Sequence, residues 1–256
     1  MQTKTLWILR WARCLADWVD LYLSGIHQLL RRAAPLTTGR LLDVGCGRKP
    51  YEPIFRPYVN EYVGIENEAT LAATADSASG AADCYYDGNR LPFEDASFDT
   101  VISVSVLEHT PAPHQLFREM TRVLKPGGRM IQHVPFSFRL HEEPHDYYRF
   151  THHALRALCT ENGLSVKEIV AQGTLWTVIG HKMTTYLAFR VARMGQVAQS
   201  LNKLGMEKKQ SQGCRFWTLP LVVPAILMIV ISVRVLERLF PEPDDCLAFM
   251  LIGEKK

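Results

Sequence analysis

The sequence predicts a doubly wound α/β domain, and three observations carry that expectation. Short apolar runs, suited to burial on both faces, alternate with helical stretches. A glycine pair closes the first run, in LLDVGCGRKP at 41–50, and acidic residues recur at the ends of the runs. With 256 residues and 47% hydrophobic content, the chain can bury a full core with a sizeable insertion, which excludes disorder as its main state.

The elements follow in order. Trp7, Trp11, Leu15, Trp18, Tyr22, Ile26 and Leu29 recur at spacings of three and four, predicting an amphipathic helix over roughly 4–32. It either packs on the domain or anchors at a membrane interface through its tryptophans and arginines. Strands are predicted at 41–44, 62–65, near 83–86, at 98–104, 128–134, 164–170 and 246–252. Helical stretches fall at 112–124 and 152–162, the second with Thr151 as N-cap. LKPGG at 124–128 stops a helix and turns into the next strand. Between the last two strands lie some seventy residues where a short turn would suffice, so 174–243 is an insertion. The predicted layout is an N-terminal helix over 1–34, a core over 35–173, the insertion over 174–243, and the last strand with the C-terminus over 244–256.

Six cysteines, at 14, 46, 84, 159, 214 and 246, have no metal-ligand spacing and suit thiols kept reduced in a cytoplasm. The first residues form no uninterrupted apolar run of signal-peptide type, which predicts a protein that is not secreted. Charge is uneven. Residues 1–34 hold five Lys/Arg against two Asp/Glu, 35–173 hold 13 against 18, and 174–243 hold nine against three. The basic segments coincide with apolar stretches rather than a nucleic-acid motif, which favours a membrane surface and ranks nucleic acid last.

A tight turn needs Gly45 and Gly47 because positive φ carries no Cβ strain there and a ligand can approach bare backbone. The third glycine of the dinucleotide fingerprint is absent, and Pro50 and Pro53 occupy that stretch. A pyrophosphate is therefore disfavoured, and with it an NAD-linked oxidoreductase. Glu66 ends the second strand, where a carboxylate accepts hydrogen bonds from ribose hydroxyls, and Asp87 follows the third.

Five segments in order, LLDVGCG, GIE, DGNRLPF, FDTVISVSVLEH and LKPGG, resemble the class I S-adenosylmethionine-dependent methyltransferases over roughly 40–171. The branch they resemble is the type 11 one, typified by ubiquinone and menaquinone methyltransferases. Glu66 stands where that family usually has Asp. The resemblance implies a Rossmann-like, seven-stranded, mostly parallel sheet with helices on both faces and S-adenosyl-L-methionine as cofactor. It also implies that Asp43, Gly45, Cys46 and Gly47 surround the methionine part. Glu66 would then hold the ribose, Asp87 and Gly88 would lie near the adenine, and Ser103 would lie near the cofactor from the fourth strand. A sulfonium has no phosphate to cradle, so acids and bare backbone suit it.

His109, just past the fourth strand, is the expected general base, or else a hydrogen-bonding partner of the cofactor loop. HEEPH at 141–145 mimics a zinc-protease signature, but Pro144 prevents His141 and His145 from sharing a helix face, so no metal site is predicted. The resemblance makes His145, Asp146, Tyr147, Tyr148 and Arg149 substrate contacts, with a capped loop as the plainer reading.

Residues 217–233 carry no charge but would span only about 26 Å as a helix, and Pro220 and Pro224 interrupt them. Because the last strand must rejoin its sheet, an odd number of membrane crossings is impossible. The favoured reading is a peripheral or monotopic insertion on the cytoplasmic membrane face; a hairpin that caps the site or forms a dimer interface is the other. The expected function is methyl transfer to a lipid-linked or amphipathic small molecule. Alternatives are a soluble small-molecule methyltransferase, the oxidoreductase, or a non-catalytic scaffold.

Overall fold

The computed structural model describes residues 18–68, 82–193, 215–242 and 244–256. Two compact units are present. The larger holds residues 29–172 and 248–256; the smaller holds, of the described stretches, 18–28, 173–193, 215–242 and 244–247.

Seven strands form one sheet in the larger unit: β1 (Arg40–Val44), β2 (Glu61–Asn67), β3 (Cys84–Tyr86), β4 (Phe98–Val104), β5 (Leu124–Pro135), β6 (Leu164–Gln172) and β7 (Ala248–Lys255). Their order is β3-β2-β1-β4-β5-β7-β6. Strands β1 to β5 pair in parallel, and β7 runs antiparallel between β5 and β6. The chain winds outward from β1 on one side and from β4 on the other, so the crevice at their carboxyl ends is the switch point where ligands bind in open α/β sheets.

The central strands are apolar without alternation because both their faces are covered. Leu41, Leu42, Val44, Phe98, Val101 and Ile102 are wholly buried. Helix α3 (Pro113–Val123) buries Leu116, Phe117, Met120 and Val123 at spacings of one to three residues and starts with Pro113, whose missing N–H costs nothing there. In α4 (His152–Glu161) the Thr151 hydroxyl accepts from the Ala154 N–H, as the sequence predicts. The LKPGG turn differs in one respect: α3 stops at Val123, but Leu124 already pairs with Phe98, and a register irregularity between Phe98 and Thr100 absorbs the glycines.

Of the predicted N-terminal helix, Trp7, Trp11 and Leu15 lie outside the described residues. Helix α1 (Leu21–Ala33) starts afresh at Asp20, whose carboxylate accepts the N–H groups of Tyr22 and Leu23 at 3.0 Å each. The division between the units falls within it. Of the described cysteines, Cys46, Cys84 and Cys159 are free thiols.

In the smaller unit, α5 (Leu175–Tyr186) packs on α6 (Leu219–Leu239). Val222, Ile226, Val230 and Val233 form the buried stripe of α6, joined by Leu21 and Ala192. Gly180 permits the close approach, since a Cβ there would lie 2.3 Å from the Val233 side chain. Glu237 on α6 accepts from the Thr174 and Thr177 hydroxyls at the start of α5. Another face of α6 is exposed: Leu221 is 77% exposed and Met228 65%, beside Trp217 at 76%.

Candidate active site

The first loop is tied to the sheet before any ligand is considered. The N–H groups of Gly45 and Cys46 both donate to the Ile65 carbonyl, at 2.9 and 3.2 Å. Gly45 has φ +72°, and a Cβ there would sit 2.4 Å from Val106. Gly47 has φ +50° with open space where its Cβ would be, and its N–H donates to a Glu66 carboxylate oxygen at 2.8 Å. The sequence pair of glycines is thus one steric requirement and one bare backbone surface. Glu66 also accepts from the Asn67 N–H at 3.0 Å, and burial raises its pKa. Asp43 lies beneath, 2% exposed, accepting from the Tyr62 hydroxyl at 2.5 Å; burial pushes its pKa up to about 7. The Cys46 thiol is buried and pushed up by burial, so it is no nucleophile.

Asp87 is spent largely on its own loop. Its carboxylate accepts from the Asn89 N–H and side-chain amide and from the Arg90 N–H, which hold its pKa below the usual range. Gly88, at φ +84°, leaves room for the Asn67 side chain, which a Cβ would approach to 2.9 Å. Ser103 on β4 is 1% exposed, and its hydroxyl has no hydrogen-bond partner among the described residues.

The end of β4 opens into a single turn, Leu107–His109. Residues 138–150 are not helical, so His141 and His145 share no helix face. This loop meets the turn through backbone: the Tyr147 N–H donates to the Glu108 carbonyl at 2.8 Å, and the His109 ring Nδ1 lies 2.7 Å from the His145 carbonyl. That contact requires an Nδ1–H donor and leaves Nε2 with its lone pair. Of the predicted substrate residues, Asp146 and Arg149 form a two-pronged ion pair, and Arg149 also donates to the Phe138, Arg139 and Tyr148 carbonyls. The guanidinium holds Asp146 far below the carboxylate range. These two hold the loop, whereas Tyr147 and Tyr148 present exposed rings.

Sequence reasoning missed several groups here. Glu108 is wholly buried, neither of its carboxylate oxygens has a hydrogen-bond partner among the described residues, and burial pushes its pKa up to about 8. His141 stacks edge-on against His109, with ring centroids 4.6 Å apart. His133 on β5 is buried against Gln172, 2.6 Å from Nε2 to Oε1, and burial lowers its pKa to about 4. A signal for Glu108 existed in the sequence, since it adjoins His109 in LEH; nothing announced that His141 would meet them.

The fold is that of a Rossmann-like α/β domain, and α2 (Glu52–Phe55), after the glycine loop, is four residues long and opens with an acid, which does not suit a pyrophosphate. Residues 42–132 match the family model described as "Methyltransferase domain", and this segment is a methyltransferase domain. A Mycobacterium leprae protein described as an uncharacterized methyltransferase is 36% identical over 115 residues, covering 44% of this chain and 40% of that protein. One from Mycobacterium sp. (strain JLS) is 40% identical over 106 residues, 40% of this chain and 42% of the relative. The chain thus spans about two-fifths of the curated relatives it matches. Among solved structures, the [4+2]-cyclase SpnF is 21% identical at a TM-score of 0.52, covering 90% of this chain and 79% of that one. A Mesorhizobium loti S-adenosylmethionine-dependent methyltransferase is 14% identical at 0.52, covering 92% and 100%. At these identities the likeness shows the fold alone.

The domain implies S-adenosylmethionine as cofactor, and the residues present fit it. Bare backbone at Gly47, the Glu66 and Asp43 carboxylates and the Ser103 hydroxyl, partnerless among the described residues, offer hydrogen-bond acceptors and negative charge suited to a sulfonium.

Proposed function

We propose that this protein transfers a methyl group from S-adenosylmethionine to a lipid-linked or amphipathic small-molecule acceptor at the cytoplasmic face of a membrane. The observation that carries the transfer is the Gly47–Glu66 cradle above a buried Asp43 at the switch point of the sheet. In this reading Glu66 binds the ribose hydroxyls, and Asp87 with Gly88 borders the adenine. Asp43, Gly45, Cys46, Gly47 and Ser103 line the methionine end. The cofactor supplies an electrophilic methyl carbon on a sulfonium; the protein's task is to hold the acceptor in line with it and exclude water. His109 takes the acceptor's proton at Nε2, because Nδ1 is committed to the His145 carbonyl. His145, Tyr147 and Tyr148 contact the acceptor, and Asp146 and Arg149 keep that loop in place.

The membrane half rests on α6. Residues Phe216–Leu239 form a helix of mean hydropathy 2.5 over its most apolar window, of which 22% is buried. Arg215 precedes it and Arg234 and Arg238 lie near its end, where anionic headgroups would meet them. The excursion leaves the sheet at Gln172 and returns at Ala248, two residues paired with each other. Both ends therefore lie on one side, and a helix lying in one leaflet satisfies that constraint. In this layout 35–173 with 244–256 performs transfer and 174–243 docks.

The test is transfer of labelled methyl from the cofactor to total lipid and aqueous extracts of the source cell. Label in the organic phase is expected. Label confined to water-soluble products would remove the lipid acceptor, and none in either phase would remove the transferase reading.

A further inference from the structure

We propose that Glu108, His109 and His141 bind one divalent transition-metal ion, with Glu142 as a fourth donor. One ligand atom from each of the first three lies within 4.8 Å of the others. A tetrahedral zinc with ligands about 2.0–2.1 Å away separates them by roughly 3.4 Å, so a contraction of at most about 1.4 Å closes the site.

The Glu108 carboxylate is the strongest reason. It is wholly enclosed, yet among the described residues no donor reaches either oxygen. Leaving such a group unsatisfied destabilises a fold, and a cation answers that directly. Its Oε1 is 3.8 Å from His109 Nε2, too far for a hydrogen bond and suited to two ligands flanking one ion.

Both imidazoles are already oriented as metal ligands. His109 gives its Nδ1–H to the His145 carbonyl, leaving Nε2 facing Glu108. His141 has Nδ1 at 3.2 Å from Asp146 Oδ2, and that carboxylate is in turn fixed by Arg149 and by the His141 N–H at 2.9 Å. Carbonyl and carboxylate partners on the far ring nitrogen are how metal-binding histidines are held. Glu142 stands 3.8 Å from His109 Nε2 on an exposed side chain, and its backbone has a left-handed φ of 54°. Two imidazoles and carboxylates suit zinc, iron, cobalt or manganese better than magnesium or calcium. Bound there, the ion would lower the pKa of an acceptor oxygen in place of a free imidazole base.

This site does not depend on the methyl-transfer reading, and its test omits the methyl donor. The full-length protein, stripped with chelator and dialysed, is titrated with Zn2+ by calorimetry and with Co2+ by visible absorption. One saturable site is expected, with a ligand-field spectrum for cobalt and a zinc-dependent rise in melting temperature. His141→Ala and Glu108→Gln should each weaken zinc binding at least about tenfold. Asp146→Asn should weaken it less, and His114→Ala, whose ring pairs with Glu161 elsewhere, should leave it unchanged. An unchanged circular-dichroism spectrum and a cooperative melt check that each variant is folded; if Glu108→Gln does not fold, His141→Ala decides alone. Non-saturating zinc binding, or binding that survives His141→Ala in folded protein, overturns the site.

Discussion

The crevice end of the sheet and the inserted helix α6 depart from ordinary folding rules in opposite ways. At the crevice, polar groups are buried without partners: the Ser103 hydroxyl and the Glu108 carboxylate. On α6, apolar groups are left in water: Leu221, Met228 and Ile231 are each more than half exposed. One region buries what water would solvate, and the other exposes what water rejects. Each is costly for the isolated chain, and each cost is relieved by something outside it, a polar or cationic ligand in the first and an apolar surface in the second. Sites are found where local rules fail, and the sense of the failure names the chemistry of the partner.

The largest expected effect sharpens the crevice side. Gly45→Val places a branched side chain at φ +72° against Val106, adding left-handed strain of about 1–2 kcal/mol to a clash. S-adenosylmethionine affinity should fall at least about tenfold by calorimetry; unchanged affinity would mean that the loop is not the cofactor site. Gly180→Leu does the corresponding damage in the smaller unit, forcing α5 off α6 at Val233. A loss of about 1–3 kcal/mol in urea unfolding is expected, with cofactor affinity retained. If affinity collapsed with it, the two regions would not be separable as drawn.

The sheet unit gives the ligand-free protein a pH dependence with two arms. His133 has a folded pKa near 4, below its ordinary 6.5, so its contribution is intact above about 6.5 and is lost as pH falls toward 4. Asp43 has a folded pKa near 7, above its ordinary 3.8, so its contribution is full below about 3.8 and is lost as pH rises to about 7. Asp43→Asn should shrink the second arm in melting-temperature profiles, leaving the part that buried Glu108, with a folded pKa of about 8, contributes, and should leave the first arm unchanged. S-adenosylmethionine binding near pH 6 should release a proton, since a cationic ligand favours the Asp43 carboxylate; calorimetry in buffers of different ionisation enthalpy reads it directly.

The smallest stability effects break the comparison if they go the wrong way. Ser103→Ala removes an orphan hydroxyl and should raise ligand-free stability by about 1 kcal/mol while weakening cofactor binding. Leu221→Ser with Met228→Ser should change stability by less than about 0.5 kcal/mol, because neither side chain is buried. The same pair should lower binding to anionic phospholipid vesicles in a flotation assay. Undiminished flotation would show that α6 does not dock.

How far the sequence could be read depends on the range of the interaction. The glycine loop, the strand ends at Asp43 and Glu66, and the Thr151 cap are local, and each stands where its motif predicts. HEEPH shows the limit. Pro144 rules out a helical histidine pair, and 138–150 is indeed non-helical. His141 nonetheless meets a histidine, His109, from thirty-two positions away, because the Tyr147 N–H and the His145 carbonyl bind the loop to the turn after β4. Likewise, the resemblance makes Asp146 and Arg149 substrate contacts, with a capped loop as the other reading, and only the folded loop shows them paired with each other.

The sequence alone determined the alternation of strands and helices, the place of the glycine loop, and the apolar, charge-free run that became α6. Those follow from backbone propensity and hydrophobic pattern, which act over a few residues. Only the tertiary structure decided which polar side chains were satisfied and which were left facing one another at Glu108, His109 and His141. The meeting of two distant loops is a property of packing, and no spacing within either one encodes it.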